Sequence, residues 1–195
     1  MVRQGLPVLV AACLLGTFAP AAAADRTLSP PLADTLENVY LAPIGVCPAQ
    51  NSPGAVTAAQ IPAMRCMVNW ARHRRGLAPL RVNARLDRSA RMRAAEIRRC
   101  NQFSHTPCGD AFTHVFAASG YLHGAAWRVG ENLAWGAGAL GSARTAVAWW
   151  LASPPHRANL FGRSWRDFGV AMLKADALFG ASNVTIWVVQ FGRRG

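Results

Sequence analysis

Acidic side chains are scarce in this sequence: 9 Asp and Glu stand against 21 Lys and Arg over 195 residues, a formal charge of +12. Lysine is almost missing as well, because Lys174 is the only one and arginine carries the rest of the positive charge. Charged residues of either sign make up only 15% of the chain and hydrophobic ones 52%, which excludes an intrinsically disordered polymer. No stretch reaches 18 uninterrupted apolar residues, so no segment reads as a bilayer-spanning helix. Internal repeats and low-complexity tracts are absent too, which excludes a repeat architecture. What remains is one domain of ordinary size with a short appended segment. Such a basic surface attracts anionic polymers, among them acidic wall glycans, lipid headgroups and nucleic acid, and charge alone selects none of them.

The appended segment is N-terminal. Arg3 precedes an apolar run from Leu6 to Phe18, and the small-residue string Ala21-Ala22-Ala23-Ala24 stands before Asp25. A basic start, a short apolar core and an Ala-x-Ala site describe a secretory signal peptide, cut after Ala24. A lipoprotein cut at Val10-Ala11-Ala12-Cys13 competes with it but leaves too short an apolar core before the cysteine. The expected organisation is therefore a signal peptide over 1–24, a proline-rich arm over 25–55 and a compact domain over 56–195. The expected location is extracellular or in the cell envelope.

Four cysteines remain after such a cut: Cys47, Cys66, Cys100 and Cys108. An even number in an exported chain argues for disulfides, with three possible pairings. Cys100 and Cys108 enclose a short loop and suit a local bridge, and Cys47 with Cys66 would then tie the arm to the first helix. The rival is a zinc knuckle, since Cys100, His105, Cys108 and His114 have ligand-type spacing. An oxidising compartment favours the bridge.

In the compact part, Met64, Met67, Val68 and Ala71 recur at helical spacing and Gly76 supplies a stop. Asn83 is a good N-cap for a second helix with Leu86, Ala90, Ala94 and Ile97 on its apolar face. Its arginines, Arg85, Arg88, Arg91, Arg93, Arg98 and Arg99, read as a solvated face. Residues 101–141 are glycine-rich and read as irregular, with a short helix near Ala111 to Ala118. Ser142 caps a third helix, which ends at Pro154-Pro155. Two strand-like runs, Phe168 to Leu173 and Val184 to Phe191, close the chain. Helices first and strands last predict an α+β layered domain.

Few groups are left for chemistry. Glu131 is the one acid between Asp110 and Asp167, and it sits between glycine and apolar neighbours. That is an awkward surface position, suited either to accepting hydrogen bonds inside the fold or to ligating a metal. His105 follows Phe103-Ser104 beside the cysteine loop, and His156 follows the Pro-Pro break; His73, within Arg72-His-Arg-Arg, reads as solvent-facing. Ser104 lacks a nucleophile elbow.

The words Phe103-Ser-His105, Gly130-Glu131-Asn132 and Ser153-Pro-Pro-His156-Arg-Ala-Asn-Leu160 occur in that order, and Trp187-Val-Val-Gln-Phe-Gly192 closes the chain. With this order of motifs the chain, over roughly residues 60–192, resembles the short bacterial branch of the CAP family, which groups cysteine-rich secretory proteins, antigen-5 allergens and plant pathogenesis-related proteins. The resemblance implies a three-layer α-β-α sandwich with a cleft where many members hold two histidines and two glutamates. Here His105, Glu131 and His156 match three of those positions, and Ser153 stands where the second glutamate belongs. Zinc or another divalent cation held by His105, Glu131 and His156 is what the resemblance implies, with one charged ligand fewer.

Three functions follow as expectations. The first is a non-catalytic extracellular binding module, monomeric, whose cleft takes a divalent metal or a small apolar ligand and whose partners are an anionic cell-wall polymer, a lipid or a protein. The second is a zinc-dependent hydrolase or peptidase using His105, Glu131 and His156, against which stands the lack of a spare acid or base. The third, nonspecific nucleic-acid binding by arginine, has no recognised nucleic-acid fold behind it, so no specific nucleic acid is expected. The first accounts best for the residues.

Overall fold

The computed structural model describes residues 39–124 and 126–195. The expected signal segment, the start of the arm and most of a short helix near Leu36 to Leu41 lie outside the described residues. Among the described residues no helix is long and apolar enough to cross a membrane.

Helix α1 (Thr57–Arg74) forms on the spacing of Met64, Met67, Val68 and Ala71, all fully buried. Gly76, at φ +69°, turns the chain so that the Leu77 N–H returns to the Arg72 carbonyl at 2.9 Å. Strand β1 (Arg81–Val82) follows, and Asn83 then caps α2 (Ala84–Cys100) by accepting from the N–H groups of Arg85 and Leu86 at 3.0 and 3.4 Å. Leu86, Ala90, Ala94 and Ile97 are buried as their spacing requires. Five of the six arginines are exposed, but Arg93 is not: it is completely buried, a correction to the solvated-face reading.

The short helix α3 (His114–Ala118) leads to β2 (Trp127–Ala137), an 11-residue strand inside the region expected to be irregular. The reason is burial on both faces. Residues 130–134 are all buried, so the strand lacks the polar–apolar alternation by which a half-exposed strand is recognised. Ser142 caps α4 (Ala143–Ala152) by accepting from the Thr145 N–H at 3.1 Å. Pro154-Pro155 does end α4, but it also starts a further helix, α5 (Pro154–Leu160), because prolines in a first turn give up only N–H groups that have no helical partner. Strands β3 (Asp167–Leu178) and β4 (Ala181–Arg194) form a hairpin across Phe179 and Gly180, both at positive φ.

The four strands form one sheet in the order β1-β3-β4-β2, with β1 parallel to β3 and the other pairs antiparallel. Successive residues of β4 serve opposite faces. Trp187, Val189 and Phe191 pack in a core with α1, α4 and Leu160 of α5, whereas Val184, Ile186 and Val188 pack with Ala90, Ala94 and Ile97 of α2. The result is an α+β domain, a three-layer α-β-α sandwich. A Cβ on Gly169 would run into the backbone of Leu86 and Asp87, so glycine is what lets α2 close directly on β3. Residues 40–50, in the segment read as an arm, give Tyr40, Leu41, Ala42 and Cys47 to the core on the α1 side. Cys47 is bridged to Cys66 of α1 and Cys100 to Cys108, with Cα separations of 5.6 and 5.5 Å.

Candidate functional site

Strand β2 is an edge of the sheet, and its pleat sends neighbouring residues to different layers. Leu133 packs in the core under α2 and Ala134 in the core under α4. By the same alternation Glu131 points to the α2 layer and Asn132 to the α4–α5 layer. Glu131 lies opposite Gln190 of β4 and its side chain is wholly buried. Such a carboxylate needs donors, and it has three. His105 Nδ1 is 2.8 Å from Oε1, Gln190 Nε2 donates to Oε2 at 2.8 Å, and Arg93 Nε donates to Oε2 at 3.4 Å. A carboxylate oxygen only accepts, so Nδ1 of His105 carries the proton and Nε2 is the nitrogen left for a ligand.

The second histidine arrives from the other layer. His156 Nδ1 lies 2.8 Å from Ser153 Oγ, and its backbone carbonyl accepts from Asn132 Nδ2 at 3.0 Å. Asn159 Nδ2 donates to the Glu131 carbonyl and to Asn132 Oδ1, both at 3.1 Å. Helix α5 therefore satisfies the Glu131 carbonyl on the free edge of β2, and the short helix started by the two prolines holds His156 beside the strand through the Asn132 side chain. Gly130 permits the approach, since a Cβ there would stand 2.9 Å from Trp165 Cζ2 and 3.3 Å from Asn159 Oδ1. Burial lowers the His156 pKa below the ordinary histidine value, and a charge on His105 lowers it further.

Of the residues singled out in the sequence, the structure thus pairs His105 with Glu131 and His156 with Ser153. No hydrogen bond joins Glu131 to His156 among the described residues. Neither Nε2 of His105 nor Nε2 of His156 has a hydrogen-bond partner among them, whereas both Glu131 oxygens are engaged by protein donors. Ser104 closes a local turn, its Oγ accepting from the Thr106 N–H at 3.0 Å, and makes no hydrogen bond to His105. The zinc-knuckle alternative is overturned because Cys100 and Cys108 are joined to each other. Two surface pockets, of about 260 and 160 Å³, open elsewhere, beside Arg128 and Arg193 and beside Arg65 and Arg91; neither is lined by His105, Glu131 or His156.

Sequence reasoning missed Arg93, Gln190 and Asn159. The signal for Arg93 was present: it continues the stripe Leu86, Ala90, Ala94, Ile97 at helical spacing. Gln190 likewise shares the inward alternation of Ile186 and Val188. Asn159 carried no such mark, since its role depends on where α5 docks.

The pattern of the cysteine-rich secretory protein family, CAP, matches residues 66–191. Among solved structures, an outer surface protein of Borrelia burgdorferi superposes with a TM-score of 0.60 at 22% identity, over 72% of this chain and 97% of that one. An extracellular protein from Bacillus anthracis containing an SCP domain gives 0.55 at 20% identity, over 71% of this chain and 41% of that one. A cysteine-rich secretory protein from Staphylococcus aureus gives 0.53 at 16% identity, over 73% of this chain. This chain spans 41% of the length of each of the last two, and at such identities the likeness is one of fold. No curated protein sequence matches. The matched span begins at Cys66 in α1, ends at Phe191 in β4 and takes in both histidines and Glu131, and the chain belongs to the cysteine-rich secretory protein (CAP) family.

Proposed function

We propose that this chain is exported by its segment 1–24 and acts outside the cytoplasm as a non-catalytic binding module, whose cleft takes a divalent cation on Nε2 of His105 and Nε2 of His156. The observation that carries the reading is the state of Glu131, whose two oxygens are taken up by His105, Gln190 and Arg93. A carboxylate behind a ligating imidazole fixes its tautomer and raises its basicity, which is an outer-partner role rather than that of a general base. Ser153, at the position where the family pattern carries a second glutamate, offers a hydroxyl already bonded to His156. Hydrolysis at this cleft therefore lacks, beside the two histidines and among the described residues, a free carboxylate to take a proton from water.

When bound, the ion would supply a positively charged, open coordination position for an anionic or carbonyl oxygen of the partner. The exposed arginines of α2 add long-range attraction for an anionic cell-wall polymer, a lipid headgroup or an acidic protein surface. The two disulfide bridges fit an oxidising compartment.

Calorimetric titration of zinc into metal-stripped protein tests the reading. His156→Ala is expected to lose one equivalent of bound ion, and Glu131→Gln to retain it with affinity reduced roughly 10–100-fold. Stoichiometry unchanged in His156→Ala, or no binding by the unaltered chain, overturns it.

A further inference from the structure

Helix α2 ends beside a second group of ligand-type side chains that the cleft does not use. Glu96, Asp110 and His114 each present one donor atom, and the three atoms lie within 4.8 Å of one another. Chain topology explains the meeting. Glu96 stands near the last turn of α2, and the Cys100–Cys108 bridge folds the following loop back on that helix. The loop is tightened further where the Cys108 N–H donates to Gln102 Oε1 at 2.8 Å. Asp110 follows the bridge directly and His114 opens α3, so both return to Glu96.

The charge balance at this point is unusual for the molecule. Glu96 is only 9% exposed. Its Oε2 accepts from Arg93 Nη1 at 3.0 Å, while its Oε1 accepts no hydrogen bond and is directed into the cluster, 3.7 Å from His114 Nε2. Arg93 cannot neutralise this group alone, because the same guanidinium also serves buried Glu131 at 3.4 Å. One cation thus answers two buried carboxylates, and Asp110, which makes no side-chain hydrogen bond among the described residues, adds a further negative charge. Two of the 9 acids of a +12 chain, Glu96 and Glu131, share this one arginine, and Asp110 lies beside Glu96. A largely buried carboxylate whose Oε1 accepts no hydrogen bond among the described residues, facing an imidazole at 3.7 Å and a second carboxylate, is an environment a divalent cation stabilises.

We propose that Glu96, Asp110 and His114 form a second divalent-cation site, distinct from the histidine cleft, with one nitrogen and two oxygen donors of the kind zinc accepts. Zinc bonds of about 2.0–2.1 Å place tetrahedral ligands roughly 3.4 Å apart, so the group contracts when it binds. The two outer ligands have the freedom to do this: the His114 side chain is 49% exposed and Asp110 is half-buried, while Glu96 is held by Arg93. The bound ion would fasten the end of α2 to the bridged loop and to the start of α3.

Equilibrium dialysis of the oxidised chain against zinc, with ions counted per chain, tests the assignment. The unaltered chain and His156→Ala are expected to retain this ion, and His114→Ala and Asp110→Asn to lose it. Each of these two is expected to weaken binding more than about 100-fold, beyond what an outer partner contributes. Both substitutions lie at solvent-accessible positions, so the fold survives them. One ion retained by His156→Ala and none by the double variant His156→Ala/His114→Ala supports the site. No ion retained by His156→Ala overturns it and leaves the cleft reading standing. Counts that His114→Ala and Asp110→Asn leave unchanged also overturn it.

Discussion

Replacing Arg93 by methionine should be among the most damaging single changes in this domain. The guanidinium is wholly buried and donates to Glu131, to Glu96 and, through Nη2 at 2.8 Å, to the Phe112 carbonyl. Methionine fills similar volume but leaves one carboxylate fully buried, another nearly so, and a carbonyl without its donor. Breaking a buried pair on one side costs about 3–5 kcal/mol, because the remaining charge stays out of water. Against a total stability of about 5–15 kcal/mol, this is a large fraction. With about 2–4 °C lost per kcal/mol at this size, the midpoint should fall by roughly 6–20 °C. Lysine should not rescue it, since one ammonium cannot reproduce a planar fork reaching three acceptors. The decisive assay is a double-mutant cycle by urea unfolding with Glu131→Gln, which removes the charge left stranded. The pair should be less unstable than the sum of the single variants. Arg93→Met costing under about 1 kcal/mol, or strict additivity in the cycle, would refute the claim that Arg93 neutralises the site.

Three further outcomes follow from the same contacts. Removing the Cys47–Cys66 bridge by Cys47→Ala/Cys66→Ala, across a separation of 19 residues, should cost about 3 kcal/mol in urea unfolding, and a loss below about 1 kcal/mol would show that this bridge constrains little. Gly169→Ala should cost at least about 1–3 kcal/mol, because the new methyl must push the start of α2 off β3; a neutral result in thermal unfolding would contradict the close approach. In metal-stripped protein the lowered pKa of His156 means that the unfolded chain takes up its proton first as the pH falls through about 6.5. Stability contributed there is present above that value and declines below it, and His156→Gln should flatten the decline between pH 7.5 and 5, whereas an identical slope would remove His156 as its source.

How much of this was readable beforehand depended on whether a signal was local. The Asn83 cap, the apolar stripe of α2 and the β3–β4 hairpin rest on spacing within one segment, and all appear where the spacing puts them. Strand β2 did not announce itself, because a strand covered on both faces has no period and Gly130 and Gly136 look like loop residues. Arg93 was misread for a chemical reason: arginine on a helix is usually solvated, and only partners 38 residues away in Glu131 and 19 away at Phe112 make its burial affordable. The motif order marked His105, Glu131 and His156, but not that Glu131 would be shared among three donors. Likewise Glu96, Asp110 and His114 meet where the Cys100–Cys108 bridge turns the chain back; the bridge is legible in the cysteine spacing, but no local pattern marks these three side chains as neighbours.

The orienting role of Glu131 depends most directly on which nitrogen of His105 carries the proton. If Glu131 accepts from Nδ1–H, long-range ¹H–¹⁵N correlation spectra of the metal-free protein at neutral pH will show His105 protonated at Nδ1, with Nε2 bare and ready to bind. His105 should keep that tautomer in His156→Ala and lose its preference in Glu131→Gln. A His105 ring protonated at Nε2 instead would place its bare nitrogen against the carboxylate and contradict the assignment of Glu131 as its orienting partner.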